Sequence, residues 1–413
     1  MKNGEGWKVA AVLVLAAALR IYFALTAPLE PSQVTGILSV YNDEPAHRSV
    51  VQFWAQEGRH PTRGVDPGKP VPIEPGNIMC RTGEDFQPPL YYMLAALVYR
   101  CSQFVGVADP FIPVRFLSIG FGMVALLVTY ACCRFVLTQA ESIATLVFGA
   151  LLLSMVRFTS LVTNDALLLA ISAGTVFFLF KRTISSPSFR NRIVLILLLM
   201  AGLWTKVSFL PLVFIAPVVW VIGLRANSDR KFPWFEVAIP LVGWIPWLLW
   251  NKATWGRFLP LSAGFGKPWT LGSGFHWLLA SGGYFISSFW FPFDDIWGGG
   301  IRPLLFLVLG IVGGIVLFFS LREIVRQYGL WQTFSSTQPA FLEIAVALIV
   351  VGIMLSSLIL LNLRYSLSEA RLLFPAYAPI LVLLGLGCRR LISHKIGPWI
   401  LPAMAGFSYL LFL

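Results

Sequence analysis

Apolar residues in this chain come in long blocks rather than in alternation. They cover residues 9–27, 90–108, 114–133, 141–157, 162–180, 193–224, 236–250, 303–321, 341–362, 372–388 and 397–413. A helix needs about 20 such residues to cross a bilayer, and most of the blocks are close to that length. The 32-residue block 193–224 is interrupted by Gly202-Leu203-Trp204-Thr205-Lys206 and divides into two short helices. The pattern predicts an all-α polytopic integral membrane protein. Residues 1–413 form one transmembrane unit, with no internal repeat and no separate soluble domain.

Composition agrees with the pattern. Of 413 residues 57% are hydrophobic and 12% charged, with mean hydropathy +0.77. Soluble domains carry about a quarter charged residues and could not cover this much apolar surface. The net charge of +12 does not point to nucleic acid. Many Lys and Arg sit in short gaps between apolar blocks, where positive charge sets membrane orientation. Cys80, Cys101, Cys132, Cys133 and Cys388 contain no CxxC pair and no metal-ligand spacing. A disulfide framework is not expected.

Charge also orients the helices. Lys181, Arg182, Arg190 and Arg192 share one tight gap; Arg225, Arg230 and Lys231 a second; Arg389, Arg390 and Lys395 a third; Arg322 and Arg326 lie in another. These gaps are read as cytoplasmic. The first apolar block then acts as a signal-anchor helix entered from the cytoplasm. Residues 28–89, with eight prolines before the Pro88-Pro89 pair and eight acidic residues, form a large extracytoplasmic loop. The count closes at eleven crossings, with the C-terminus outside, if block 90–108, which carries Arg100, lies along the outer leaflet as an interfacial helix. Arg115 and Arg157 then fall outside, against the general rule. A second outer loop, 252–300, is rich in aromatic residues and glycine, which suits membrane anchoring as well as substrate covering.

Ionisable groups in or beside apolar blocks are costly and mark function. The first cluster is Tyr41-Asn42-Asp43-Glu44-Pro45-Ala46-His47-Arg48. Pro45 suits a first helical turn, and Ala46, Val50, Val51, Phe53 and Trp54 make an apolar face at helical spacing. A short amphipathic helix should present Asp43 and Glu44 at its start; a helix cap explains Asp43 equally well. Asn164-Asp165 opens another apolar block, again as function or as cap. Lys206 lies at the outer turn between two short helices. Arg364, Glu369 and Arg371 stand between outer helix ends, where a surface ion pair is the plain explanation. Asp294-Asp295 reads as a solvated pair. Taken together, groups of both signs converge on one side of the membrane. Acids beside cations suit a reaction that activates a hydroxyl while holding a phosphate.

The order of these features resembles the large membrane glycosyltransferases of the GT-C superfamily, in particular the protein O-mannosyltransferase and aminoarabinose-transferase-like group. The resembling elements are Asp43-Glu44 with His47 in the first outer loop and Gln87-Pro88-Pro89-Leu90-Tyr91-Tyr92 at its close. Arg115 opens the next helix, followed by Asn164-Asp165, then Gly202 to Lys206, then Arg371-Leu372-Leu373-Phe374-Pro375. The resemblance implies a polyprenyl-phosphate-linked sugar donor drawn from the membrane lipid and an acceptor (glycan, lipid or protein) on the outer face of a bacterial plasma membrane. Asp43 is implied as the base of an inverting transfer, with Glu44 beside it. Lys206 and Arg371 would hold the lipid phosphate, and Asp165 would orient the first loop or the acceptor. His47, Arg48, Arg364 and Glu369 would line the substrate region, His47 by pairing with a carboxylate or binding a metal. Gln87 departs from relatives with Lys or His there and brings no charge to a phosphate. Divalent-metal dependence varies in the superfamily, and these residues leave it open. A transporter or flippase for lipid-linked sugars, or a non-catalytic assembly subunit, is the alternative. A transporter usually shows paired broken helices, and the break at Gly202–Lys206 has no counterpart later in the chain.

Overall fold

The computed structural model describes residues 6–27, 43–61, 84, 86–184, 188–224, 234–259, 289, 314–316, 318–323, 325–326, 340–362, 370–391 and 397–412, and of Asp43 the backbone. The Asp294-Asp295 pair, Arg364, Glu369 and most of residues 252–300 lie outside the described residues. Among the described residues there is no strand. The fold is all-α, as the apolar blocks predict.

The helices are α1 (Gly6–Thr26), α2 (Asp43–Glu57), α3 (Leu90–Phe104), α4 (Phe111–Val136), α5 (Gln139–Leu151), α6 (Leu153–Phe158), α7 (Asn164–Ile184), α8 (Phe189–Leu203), α9 (Leu210–Leu224), α10 (Trp234–Trp255), α11 (Ala340–Asn362), α12 (Tyr377–Leu391) and α13 (Ile400–Phe412). Five segments among the described residues are long and apolar enough to cross a bilayer: Gly6–Thr26, Phe111–Val136, Asn164–Lys181, Phe341–Leu360 and Arg371–Arg389. The chain is an integral membrane protein. Packing centres on α4 against α7, with α1 and α5 flanking α4. Helix α8 bridges α7 and α10, and α11 packs on α9 and α12. The buried face of α7 is nearly continuous, from Ala166 through Leu168 and Leu169 to Leu179 and Phe180. A helix apolar on all sides belongs in such a centre.

Helix α3 has 15 residues, about 22 Å of rise, and is too short to span. Its face Tyr91, Tyr92, Ala95, Ala96 and Tyr99 is buried against α2 and α4. Helix α2 has the expected amphipathic face, with Ala46, Val50, Val51 and Ala55 buried. Phe53 and Trp54 are half-buried. That face is covered by α3.

The block 141–157 departs from its expectation as a single helix. Thr138 caps α5 in a capping box with Glu141, but the helix stops at Leu151. Leu152 is extended (φ −60°, ψ 116°), and the short helix α6 follows.

Candidate functional site

The starts of α2, α4 and α7 converge on the segment Phe158–Thr163, which leads from the end of α6 into α7, and the 3-10 segment Ala370–Ala376 before α12 meets it at Phe158. Glu44 sits in the first turn of α2, where Pro45 removes no helical hydrogen bond because a first-turn amide has no intrahelical acceptor. Its carboxylate takes two hydrogen bonds from Arg115, Nε to Oε1 at 2.8 Å and Nη2 to Oε2 at 2.6 Å. The backbone amide of Val162 donates to the same Oε1 at 3.0 Å. Arg115 Nη1 also donates to the carbonyls of Ala24 and Ala27, at 2.6 and 3.0 Å. Both side chains are buried. Glu44 and Arg115 thereby join the end of α1, the start of α2, the start of α4 and the Phe158–Thr163 segment. The position of Arg115, awkward for a charge rule, follows from this neutralised pair.

One turn along α2, His47 lies 2.8 Å through Nδ1 from Tyr92 Oη and 3.3 Å through Nε2 from Thr163 Oγ1. Thr163 in turn donates to Asp165 Oδ2 at 3.4 Å and accepts from the Asp165 amide at 3.3 Å. Tyr91, one residue back on α3, bonds to Ser118 Oγ at 2.9 Å. Burial pushes the Tyr91 phenol well above its ordinary value, and the nearby Glu44 charge adds to the rise. Tyr91 therefore stays neutral at any physiological pH.

Asp165 is fully buried and receives Lys206 Nζ at Oδ1, 2.6 Å away. Arg371 Nη1 approaches Oδ2 at 3.9 Å. Two cations from distant parts of the chain thus meet one carboxylate. Arg371 also lies over the Phe158 ring, 5.5 Å from its centroid, and Arg157 lies 5.1 Å from the same centroid. Phe374 meets that ring edge-on at 5.4 Å.

Lys206 reaches this point because the chain breaks where the sequence predicts. Helix α8 ends at Leu203, and the 3-10 turn Val207–Phe209 precedes α9. Gly202 is required there, since a Cβ would collide with the Phe209 ring. The freed Trp204 carbonyl accepts the amide of Leu90 at 2.9 Å. Asn164 Nδ2 donates to Thr205 O at 3.3 Å. The Pro88-Pro89-Leu90 element is therefore bonded to the Lys206 turn. Gln87, just before it, is buried, and its amide donates to Glu84 O at 3.1 Å. Arg48 stacks over Phe111 at 4.2 Å, on the α4 side of α2.

The far end of α2 is anchored separately. His60 is buried, accepts from Trp54 Nε1 at 3.1 Å, and packs edge-on against Trp247 and Trp250 of α10. Asp43, Glu44, His47, Asp165, Lys206 and Arg371 belong to elements linked by these contacts. Among the described residues no group of three His, Cys, Asp or Glu side chains is arranged to hold a metal ion.

Several contributors escaped sequence reasoning: Thr163, Phe158, His60 and Arg20. Arg20 is a lone charge inside an apolar block, and the cost of burying it was the available signal.

No family model and no curated protein matches the chain. Solved structures do. ArnT from Cupriavidus metallidurans in the apo state matches with a TM-score of 0.53 at 15% identity, over 96% of this chain and 62% of that one. ArnT from the same organism bound to undecaprenyl phosphate matches with a TM-score of 0.52 at 14% identity, over 99% and 63%. The Archaeoglobus fulgidus oligosaccharyltransferase in the apo form gives 0.50 at 13% identity, over 100% and 55%. The chain spans less than two thirds of the length of each. The likeness is one of fold: the chain shares the helical architecture of these proteins.

Proposed function

We propose that the chain is a membrane glycosyltransferase that moves a sugar from a polyprenyl-phosphate donor to an acceptor on the extracytoplasmic face. The observation that carries this reading is the meeting of Lys206 and Arg371 at Asp165, on a segment bonded to the helix that Asp43 opens. The cations are linked through Asp165 and Thr163 to His47 in the first turns of α2, and the reading asks that Asp43, at the start of that helix, face the same substrate. In the transfer, an acceptor hydroxyl or amine attacks the anomeric carbon. The bond from that carbon to the phosphate oxygen breaks, and the acceptor's proton passes to the Asp43 carboxylate. Attack opposite the leaving group inverts the anomeric centre. The departing polyprenyl phosphate takes the bonding electron pair, and Lys206 and Arg371 stabilise its negative charge. Arg371 offers the bidentate geometry that favours phosphate.

Glu44 has a different part in this reading from the catalytic one expected beside Asp43. Three hydrogen bonds already occupy its carboxylate, so it positions α2 rather than touching substrate. Asp165 holds Lys206 in place until the phosphate arrives. The likeness in fold to a protein solved with undecaprenyl phosphate is consistent with a polyprenyl-phosphate ligand.

The test is Asp43→Asn in the purified full chain, with transfer and donor binding measured separately. Transfer should fall by at least about a thousandfold, within the range for loss of an essential base, while binding of a polyprenyl phosphate persists. A variant that transfers sugar at near the parental rate would remove Asp43 as base. Lys206→Ala should instead weaken binding of the polyprenyl phosphate.

A further inference from the structure

The break between α5 and α6 is a place where an apolar block has been forced out of helix. In an unbroken helix the carbonyls of Gly149 and Ala150 would accept the amides four residues on, at Leu153 and Ser154. The extended turn at Leu152 carries those amides away. Inside a bilayer no water replaces them, so other protein donors must. Two side chains do so. Tyr377 Oη donates to Gly149 O at 3.3 Å, and Arg20 Nη1 donates to Ala150 O at 3.1 Å. Arg20 is fully buried. Its Nε donates to Thr159 Oγ1 at 2.8 Å, and Nη1 also reaches Ala16 O of its own helix at 3.1 Å.

Thr159 begins the connection that leads to Val162, Thr163 and Asp165. It is seated without slack against α4, since a Cβ on Gly122 would lie 2.5 Å from Thr159 Cβ. A guanidinium is planar and directs its donors along fixed divergent lines. One Arg20 side chain can therefore serve the end of α5 and the start of the connection together. A lysine offers one point of charge on a flexible stem and cannot hold both in register.

We propose that Arg20 is a positioning residue: from the middle of α1 it fixes the break at Leu152 and, through Thr159, sets the segment 159–163 that presents Asp165 to Lys206. The consequence for catalysis rests on the glycosyl-transfer reading; the placement of the segment does not.

The experiment uses the full chain in nanodiscs, with the five native cysteines replaced and Ser160→Cys introduced. Ser160 is fully buried, so the introduced thiol should react slowly with a water-soluble maleimide. Arg20→Met, Arg20→Lys and the single-group variant Thr159→Val should each speed that labelling about tenfold, the factor for losing a charged hydrogen bond of about 1.4 kcal/mol. Thr159→Val should add little on top of Arg20→Met, because Arg20 acts through Thr159. Labelling unchanged in both Arg20→Met and Thr159→Val overturns the proposal. Kinetics then separates the two readings. A displaced Asp165 raises the KM for a polyprenyl-phosphate sugar, whereas a smaller folded fraction lowers only apparent kcat. Faster labelling with donor KM unchanged supports Arg20 as positioning residue and counts against the glycosyl-transfer reading of the site.

Discussion

Lys206 Nζ and Asp165 Oδ1 stand 2.6 Å apart, 41 residues apart in sequence, with the Lys206 side chain 9% exposed and the Asp165 side chain 0%. Neither charge has enough water around it to be tolerated alone. Each is the condition for burying the other. Arg371, at 3.9 Å from the second carboxylate oxygen, completes the arrangement. Asp165→Asn should therefore destabilise the protein by about 3 kcal/mol, the usual cost of stranding a buried charge. It should also weaken binding of a polyprenyl phosphate, because Lys206 loses its orientation. Thermal unfolding in detergent and lipid titration measure the two effects. An unchanged melting temperature would show that Lys206 finds other compensation.

Glu44 and Arg115 give a prediction of the opposite kind, about structure rather than substrate. Glu44→Gln keeps the shape but weakens two charged hydrogen bonds from Arg115 and one from the Val162 amide. Stability should fall by about 2–4 kcal/mol on the scale of broken buried pairs. The double variant Glu44→Gln/Arg115→Met should be less unstable than the sum of the two single ones. A double-mutant cycle in chemical unfolding tests this. Strict additivity would mean that the pair does not act as a unit.

His60 anchors the far end of α2, and its contribution can be divided. His60→Phe preserves aromatic packing against Trp247 and Trp250 but removes the acceptor for Trp54 Nε1. The expected cost is about 1 kcal/mol, one ordinary hydrogen bond. His60→Ala also leaves a space among large rings and should cost about 3 kcal/mol or more. Equal melting temperatures for the two variants would show that packing is unimportant there.

The parts of this architecture that were legible in the sequence are those where a charge stands out against an apolar background. Lys206 is flanked by apolar blocks, Asp165 opens one, and Arg371 precedes another. Helix direction predicts only that they share one side of the membrane; their meeting at Asp165 comes from the fold. Arg20 stands out in the same way, yet a first apolar block reads so naturally as an anchor that its charge draws no attention. The break at Leu152 has no such signal. Neither glycine nor proline occupies that position, and residues 146–153 around it carry no polar side chain. Donors from residues 20 and 377 make the break possible, and a local reading cannot anticipate partners so distant. His60 was hidden for a related reason. It sits in a polar loop, and its neighbours Trp247 and Trp250 lie nearly two hundred residues away. Glu44 shows the converse limit: the acidic pair was conspicuous, but only the position of Arg115 in space separates Glu44 from its neighbour Asp43.

The orientation can be argued from ion pairs at the opposite end of the bundle and then tested. Glu141, just beyond the end of α4 remote from Arg115, lies 3.3 Å from Arg389 Nε. Arg192, at the start of α8, lies 3.8 Å from Glu236 at the start of α10. Both arginines belong to gaps that charge assigns to the cytoplasm, so each pair joins two ends already placed on the same side. The group around Glu44, Asp165 and Lys206 lies at the other helix ends. Glu57 and Arg190 are both exposed and make suitable probes of the expected outer and cytoplasmic sides. In a background without native cysteines, Glu57→Cys should react with an impermeant maleimide added to intact cells. Arg190→Cys should react only after the membrane is opened. The inverse pattern would place the Asp165–Lys206 pair on the cytoplasmic side and with it any donor that the site accepts.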